Sequence, residues 1–121
     1  MTAPRDPSAL LPLTPAMFHV LLALAGDERH GYAIIKDVEV RTAGAVRLSA
    51  GTLYGLVKRL LAEGLIEESR RRPPADEDDE RRRYYRLTSF GRRTLLAEVE
   101  RLERAVELAR ATRGLKSVKV S

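Results

Sequence analysis

The chain has 121 residues, 22 Lys and Arg against 17 Asp and Glu, two His, no Cys and no Trp, for a formal net charge of +5. A chain of this size buries roughly two thirds of the surface its unfolded form exposes, enough for one core, so any long helix left over needs a partner elsewhere. The lack of Cys excludes disulfides, thiolate nucleophiles and Cys-ligated metals, His19 and His30 alone make a poor zinc site, and no apolar run approaches the roughly 18 residues of a membrane span.

Residues 1–12 are Pro-rich without a period and are expected to form a flexible N-terminal arm. The opening, with its single Arg and its Asp, does not read as a signal peptide. Thr14 is a good N-cap and Pro15 suits a first helical position, so the run AMFHVLLALA predicts a buried helix to Ala25, stopped by Gly26. After a polar turn of Asp27, Glu28 and Arg29, a second helix starts near His30 or Gly31. It carries Ile34, Ile35 and Val38 on one side, with Lys36, Asp37 and Glu39 on the other, and ends before Gly44.

Ser49 caps a third helix that closes at Gly64. At the helical period Leu53, Leu56, Val57 and Leu60 share one face; Gly51, Gly55 and Lys58 lie opposite, flanked by Thr52, Tyr54 and Arg59. Leu65 to Ser69 and Arg83 to Leu87 read as a two-stranded hairpin with a long loop. Thr88 then caps a last helix from Ser89 to Arg113, with Gly114 as its stop and 115–121 as a flexible tail. The expected units are thus the arm, a domain over 13–88, and a C-terminal helix over 89–114.

Three short helices followed by a hairpin, the third helix opening in small polar residues, is the order of a winged helix-turn-helix, whose third helix enters the DNA major groove. Glycines at 51 and 55 let backbone approach a phosphate or base edge, and the helix N-terminus offers free N–H groups. Thr52 and Tyr54 add hydroxyls, and Lys58 and Arg59 add charge. The alternative is that the glycines serve close helix packing and the cations are a solvated face; their place opposite the leucine stripe counts against it.

The segments LTPAMFHVLLALAGDERHGYAIIKDVE, LSAGTLYGLVKRLLAEGLIEE and RRRYYRLTSFGRRTL resemble the PadR-like transcriptional regulators, bacterial winged helix-turn-helix proteins, from about Leu13 to Val106. The most specific pieces are His30-Gly31-Tyr32, Gly51-Thr52-Leu53-Tyr54, Gly64-Leu65-Ile66, and Tyr85-Arg86-Leu87-Thr88 with Gly91. The resemblance implies a homodimer paired through its C-terminal helices, reading two half-sites of a near-palindromic double-stranded operator, with the hairpins flanking the duplex. Many members are repressors relieved by a small ligand, so an effector of unknown identity is a further implied partner. By the same resemblance, the DNA-reading role falls on Ser49, Thr52, Tyr54 and Lys58 and the wing role on Arg near the hairpin; from the residues themselves, Arg59, Tyr32 and the loop's Arg72, Arg81, Arg82 and Arg83 are further candidate DNA contacts. The family often has Pro where this chain has Ala50 and Gly55, and the single C-terminal helix resembles a shorter subgroup.

The loop from Arg70 to Arg83 holds six Arg against five acids. Its Arg either meet phosphates, each displacing counterions, or form a solvated loop, and Asp76 to Glu80 would be repelled by a duplex. A second function class follows from that acidic tip: a winged-helix module that docks a protein partner without binding DNA. In the last helix Leu95, Val99, Leu102, Val106 and Ala109 step by four and three like a coiled-coil seam, either pairing two copies or packing on their own domain. Leu96 and Leu108 lie off the seam, placed to dock on the partner's first helix.

His19 reads as a packed core residue and His30 as a cap or turn hydrogen-bonder; Tyr32 either packs under the third helix or reaches a phosphate. Nothing pairs a nucleophile with a base, and the acidic run lacks the spacing of a calcium loop. The expectation is a mostly α protein with a small β-hairpin, a winged helix-turn-helix domain plus a long C-terminal dimerisation helix. It is expected to be cytoplasmic, to bind DNA without being an enzyme, and to need no cofactor, metal or membrane.

Overall fold

Each long helix begins where a side chain can accept one of the helix's free N–H groups. Thr14 Oγ1 accepts from Met17 at 3.1 Å, His30 Nδ1 from Ala33 at 3.2 Å, Ser49 Oγ from Thr52 at 3.1 Å and Thr88 Oγ1 from Gly91 at 2.9 Å. The computed structural model describes residues 5–70 and 83–115. In chain order they form α1 (Pro15–Gly26), β1 (Arg29–His30), α2 (Gly31–Arg41), α3 (Ala50–Ala62), β2 (Ile66–Glu68), β3 (Tyr84–Leu87) and α4 (Ser89–Ala111). Gly64, in the left-handed region at φ +74°, ends α3 as its position implies. The last helix is shorter than expected: Thr112 turns to extended backbone at φ −75°, ψ 130°, two residues before Gly114 at φ +95°.

The expected hairpin is part of a three-stranded antiparallel sheet in the order β1-β3-β2. The added strand comes from the segment expected to be only a polar turn: Arg29 pairs with Tyr85 and His30 with Tyr84, while Ile66, Glu67 and Glu68 pair with Leu87, Arg86 and Tyr85. Two residues are enough because the next one already belongs to α2, so β1 anchors that helix to the sheet.

The core lies where α1, α2, α3 and the sheet meet, with Val20, Leu21, Ile34, Val38, Leu53, Leu60 and Leu65 at zero exposure. The N-terminal arm departs from expectation. From Arg5 onward it is seated: Asp6 caps a 3₁₀ turn over Pro7–Leu10, accepting from Ser8 at 2.9 Å, and Leu10 and Leu11 pack against the core. Leu13 N–H then donates to Glu98 of α4 at 2.7 Å. Two leucines and one buried polar anchor outweigh the arm's lack of a helical period. Residues 1–4 and 116–121, the rest of the expected arm and most of the expected tail, lie outside the described residues.

Candidate nucleic-acid interface

Burial of Leu53, Val57 and Leu60 turns the opposite face of α3 outward, so that Gly51, Thr52, Tyr54, Gly55, Lys58 and Arg59 are all exposed, as the helical period predicts. From Ala50 to Ala62 that helix carries no carboxylate. Ser49 and Thr52 form a closed pair at its start: Ser49 Oγ accepts from Thr52 N–H and donates to Thr52 Oγ1 at 3.0 Å. The Thr52 hydroxyl proton is thereby left to point elsewhere. A Cβ placed on Gly51 or Gly55 would meet nothing within 4 Å among the described residues, so packing among them requires neither glycine.

Tyr54 is half exposed, and its inner edge rests on the first residue of α2. A Cβ on Gly31 would lie 3.0 Å from the Tyr54 hydroxyl and 3.2 Å from Leu53 Cδ2. Behind it, burial pushes the Tyr85 phenol above its ordinary value, and the nearby Glu68 and Tyr54 add to the shift. Tyr54 is therefore partly a spacer between α3 and the N-terminus of α2. Tyr32 is 68% exposed and does not pack under α3; it borders an open groove of about 510 Å³ with His30, Lys36 and Val40.

The cations sort into two groups. Arg41 bonds Asp37 at 3.1 Å, Arg86 bonds Glu67 at 2.9 Å, and Arg83 sits 3.8 Å from Glu68, so this wing residue is partly neutralised. Lys58 and Arg59 make no ion pair among the described residues, and neither does Arg47, which sequence reasoning missed. Arg47 is exposed two residues before the α3 cap, and that closeness was the signal available. Arg72, Arg81 and Arg82, with the acidic tip, lie outside the described residues.

The α4 seam divides. Leu95, at 5% exposure, is a core residue of its own domain, which corrects its placement in a pairing seam, and Val99 is half-buried. Leu102, Val106 and Ala109 continue the same stripe into solvent, at 38% and 50% exposure for the first two, and Leu96 and Leu108 are exposed as well. The stripe outlasts the domain that covers its first half.

Between the arm, α1 and α4 is a cavity of about 220 Å³ lined by Leu13, Pro15, Phe18, His19, Glu98, Arg101 and Leu102. Glu98 is 1% exposed, which its charged neighbourhood in the sequence did not signal. One carboxylate oxygen accepts from Leu13 N–H and the other from Arg101 Nε. The hydrogen bond from Arg101 holds the Glu98 carboxyl below the usual range, against the opposing effect of burial. His19 is half-buried, with its ring edge-on to Phe18 and its buried Nδ1 without a hydrogen-bond partner among the described residues. His30, by contrast, is the N-cap its position suggested.

Helices α1 to α3 around one core, with an exposed polar face on α3 and the β2–β3 pair following it, make this a winged helix-turn-helix protein with a long C-terminal helix. The model of the Transcriptional regulator PadR-like family matches residues 20–97, and the chain belongs to that family, one of transcriptional regulators and not of enzymes. Among solved structures, a transcriptional regulator from Clostridium thermocellum is 25% identical with a TM-score of 0.65, covering 85% of this chain and 89% of its own. A PadR family transcription regulator from Clostridium difficile is 25% identical with a TM-score of 0.61, covering 76% and 91%. BpsR of Bordetella bronchiseptica, whose DNA binding is regulated by 6-hydroxynicotinic acid, is 26% identical with a TM-score of 0.60, covering 82% and 66%. No curated protein matches. Among the described residues no helix is long and apolar enough to cross a membrane.

Proposed function

We propose that the protein is a homodimeric repressor acting in the cytoplasm on a near-palindromic DNA operator, with α3 of each copy in the major groove of one half-site. The support is the outward face of α3: two glycines that packing among the described residues does not need, a hydroxyl pair at its start, and Lys58 and Arg59 with no carboxylate on the helix. On this reading Ser49 orients Thr52, and Thr52 and Tyr54 reach base edges or phosphates. Lys58, Arg59 and Arg47 neutralise the backbone, Tyr32 meets a flanking phosphate, and Arg72, Arg81, Arg82 and Arg83 track the duplex beside the wing. Leu102, Val106 and Ala109 pair the two copies, with Val99 at the edge of the seam.

Relief by a small ligand is part of the proposal, supported by the regulated relative BpsR and by the cavity beside the free half of α4. The experiment is a gel shift with the protein's own upstream region against random duplex at physiological salt. Specific binding is expected, with Lys58→Ala weakening all sequences alike and lowering the salt slope by about 1. Equal binding to random duplex would defeat the proposal.

A further inference from the structure

At the end of α3 away from the reading residues, one side chain from the arm joins two helices. Arg5 donates through Nη1 to the carbonyl of Glu63, the C-cap of α3, and its Nη2 lies 3.4 Å from the Glu63 carboxylate. The guanidinium carbon sits 4.3 Å from the centre of the Phe90 ring, on the second residue of α4. A Cβ on Gly64 would come within 3.1 Å of Nη1, so this glycine leaves the space the guanidinium occupies as well as supplying the left-handed turn. The negative end of a helix dipole, a carboxylate and an aromatic face thus converge on a single planar cation.

The other end of the arm is also fixed on α4, through the hydrogen bond from Leu13 to Glu98. Between Phe90 and Glu98 the arm follows α4 for about 12 Å, at 1.5 Å per residue. Resting on the dimeric DNA-binding reading above, we propose that Arg5 is a positioning residue for DNA recognition: it sets the angle between α3 and α4, and so the half-site spacing that the dimer accepts. Geometry gives a small angle a large effect. The helix α3 has 13 residues. At 1.5 Å each it is about 20 Å long, so a tilt of about 5° at its C-terminus shifts the reading end by about 1.7 Å. Two copies moving in opposite senses would change their separation by about 3.5 Å, one base step.

The test is selection from duplexes in which two fixed half-sites are separated by spacers of varied length, using the full chain. Sedimentation and thermal melting are run on the same samples. The unsubstituted protein is expected to reject a one-base change of spacer by about tenfold or more. Arg5→Ala should remain a dimer on the same half-site sequence but accept neighbouring spacers within about threefold. Arg5→Lys keeps the charge and loses the planar fork, so it should fall between them; it also supplies the reading if Arg5→Ala fails to fold. Unchanged spacing preference with only a lower melting temperature would overturn the proposal and leave the DNA-binding reading standing. A starting protein that shows no preferred spacing would overturn both.

Discussion

Gly91 and Leu65 meet backbone to backbone: a Cβ on Gly91 would lie 1.9 Å from the Leu65 carbonyl oxygen. Around that contact Thr88 Oγ1 donates to the Gly64 carbonyl at 2.6 Å and Thr88 N–H to Leu65 at 3.1 Å, so α4 starts directly on the connection leaving α3. In an open helix, Gly to Ala stabilises by about 1 kcal/mol. Here the added methyl must push α4 off the junction, and Gly91→Ala should instead cost about 3 kcal/mol, the upper range for overpacking. Urea denaturation checks this; a midpoint equal to that of the unsubstituted protein would show that the junction yields.

Gly55 gives the opposite sign. A Cβ there meets nothing within 4 Å among the described residues, so Gly55→Ala should raise stability by about 1 kcal/mol through helix propensity. If the α3 backbone approaches DNA at this point, the same methyl should lower specific affinity several-fold. Chemical denaturation and a binding titration on one sample read both effects, and stabilisation without loss of affinity would place DNA off this turn.

On the proposed dimeric reading, the divided stripe of α4 would separate folding from pairing. Leu95→Ala opens a cavity in the domain core and should cost about 2–5 kcal/mol. Leu102→Asp combined with Val106→Asp touches only exposed positions and should leave the melting temperature of the domain nearly unchanged while yielding monomers on sedimentation. A dimer that survives the double substitution would locate pairing on another surface.

Glu98 predicts an acid-sensitive arm. Its folded pKa is depressed, chiefly by the hydrogen bond from Arg101, so its contribution is complete above the unfolded carboxylate pKa of about 4.3 and is lost as pH falls through the lower folded value. Glu98→Gln leaves one acceptor where two donors converge, so either Leu13 N–H or Arg101 Nε faces an amide NH2, and it should cost about 1–3 kcal/mol at neutral pH. The gap between the two proteins should close on acidification. Denaturation curves at a series of pH values test it, and a gap independent of pH would remove the carboxylate from the account.

The helices were legible because each announces itself locally: Thr14, His30, Ser49 and Thr88 are caps in the sequence and in the structure, and the leucine stripe of α3 separates its two faces. What stayed hidden depends on distant residues. Arg29 and His30 become a strand only because Tyr84 and Tyr85 arrive beside them. Glu98 and Arg101, three apart, look like any surface pair until Leu13 covers the carboxylate. Leu95 and Leu102 lie on one stripe, and no local pattern tells where the domain stops covering it. The exposure of the α3 face was readable from its period, whereas Arg47 needed the turn before α3 to be placed and the seating of Tyr54 on Gly31 needed the fold.

The sheet order leaves β1 and β2 as the outer strands, of two and three residues. On β2 the residues after buried Ile66 are Glu67 and Glu68, both exposed, with Glu67 tied across the sheet to Arg86. Such short, charged margins give a neighbouring chain too little free backbone to extend the sheet. Edge-to-edge pairing of copies along these described margins is thereby disfavoured.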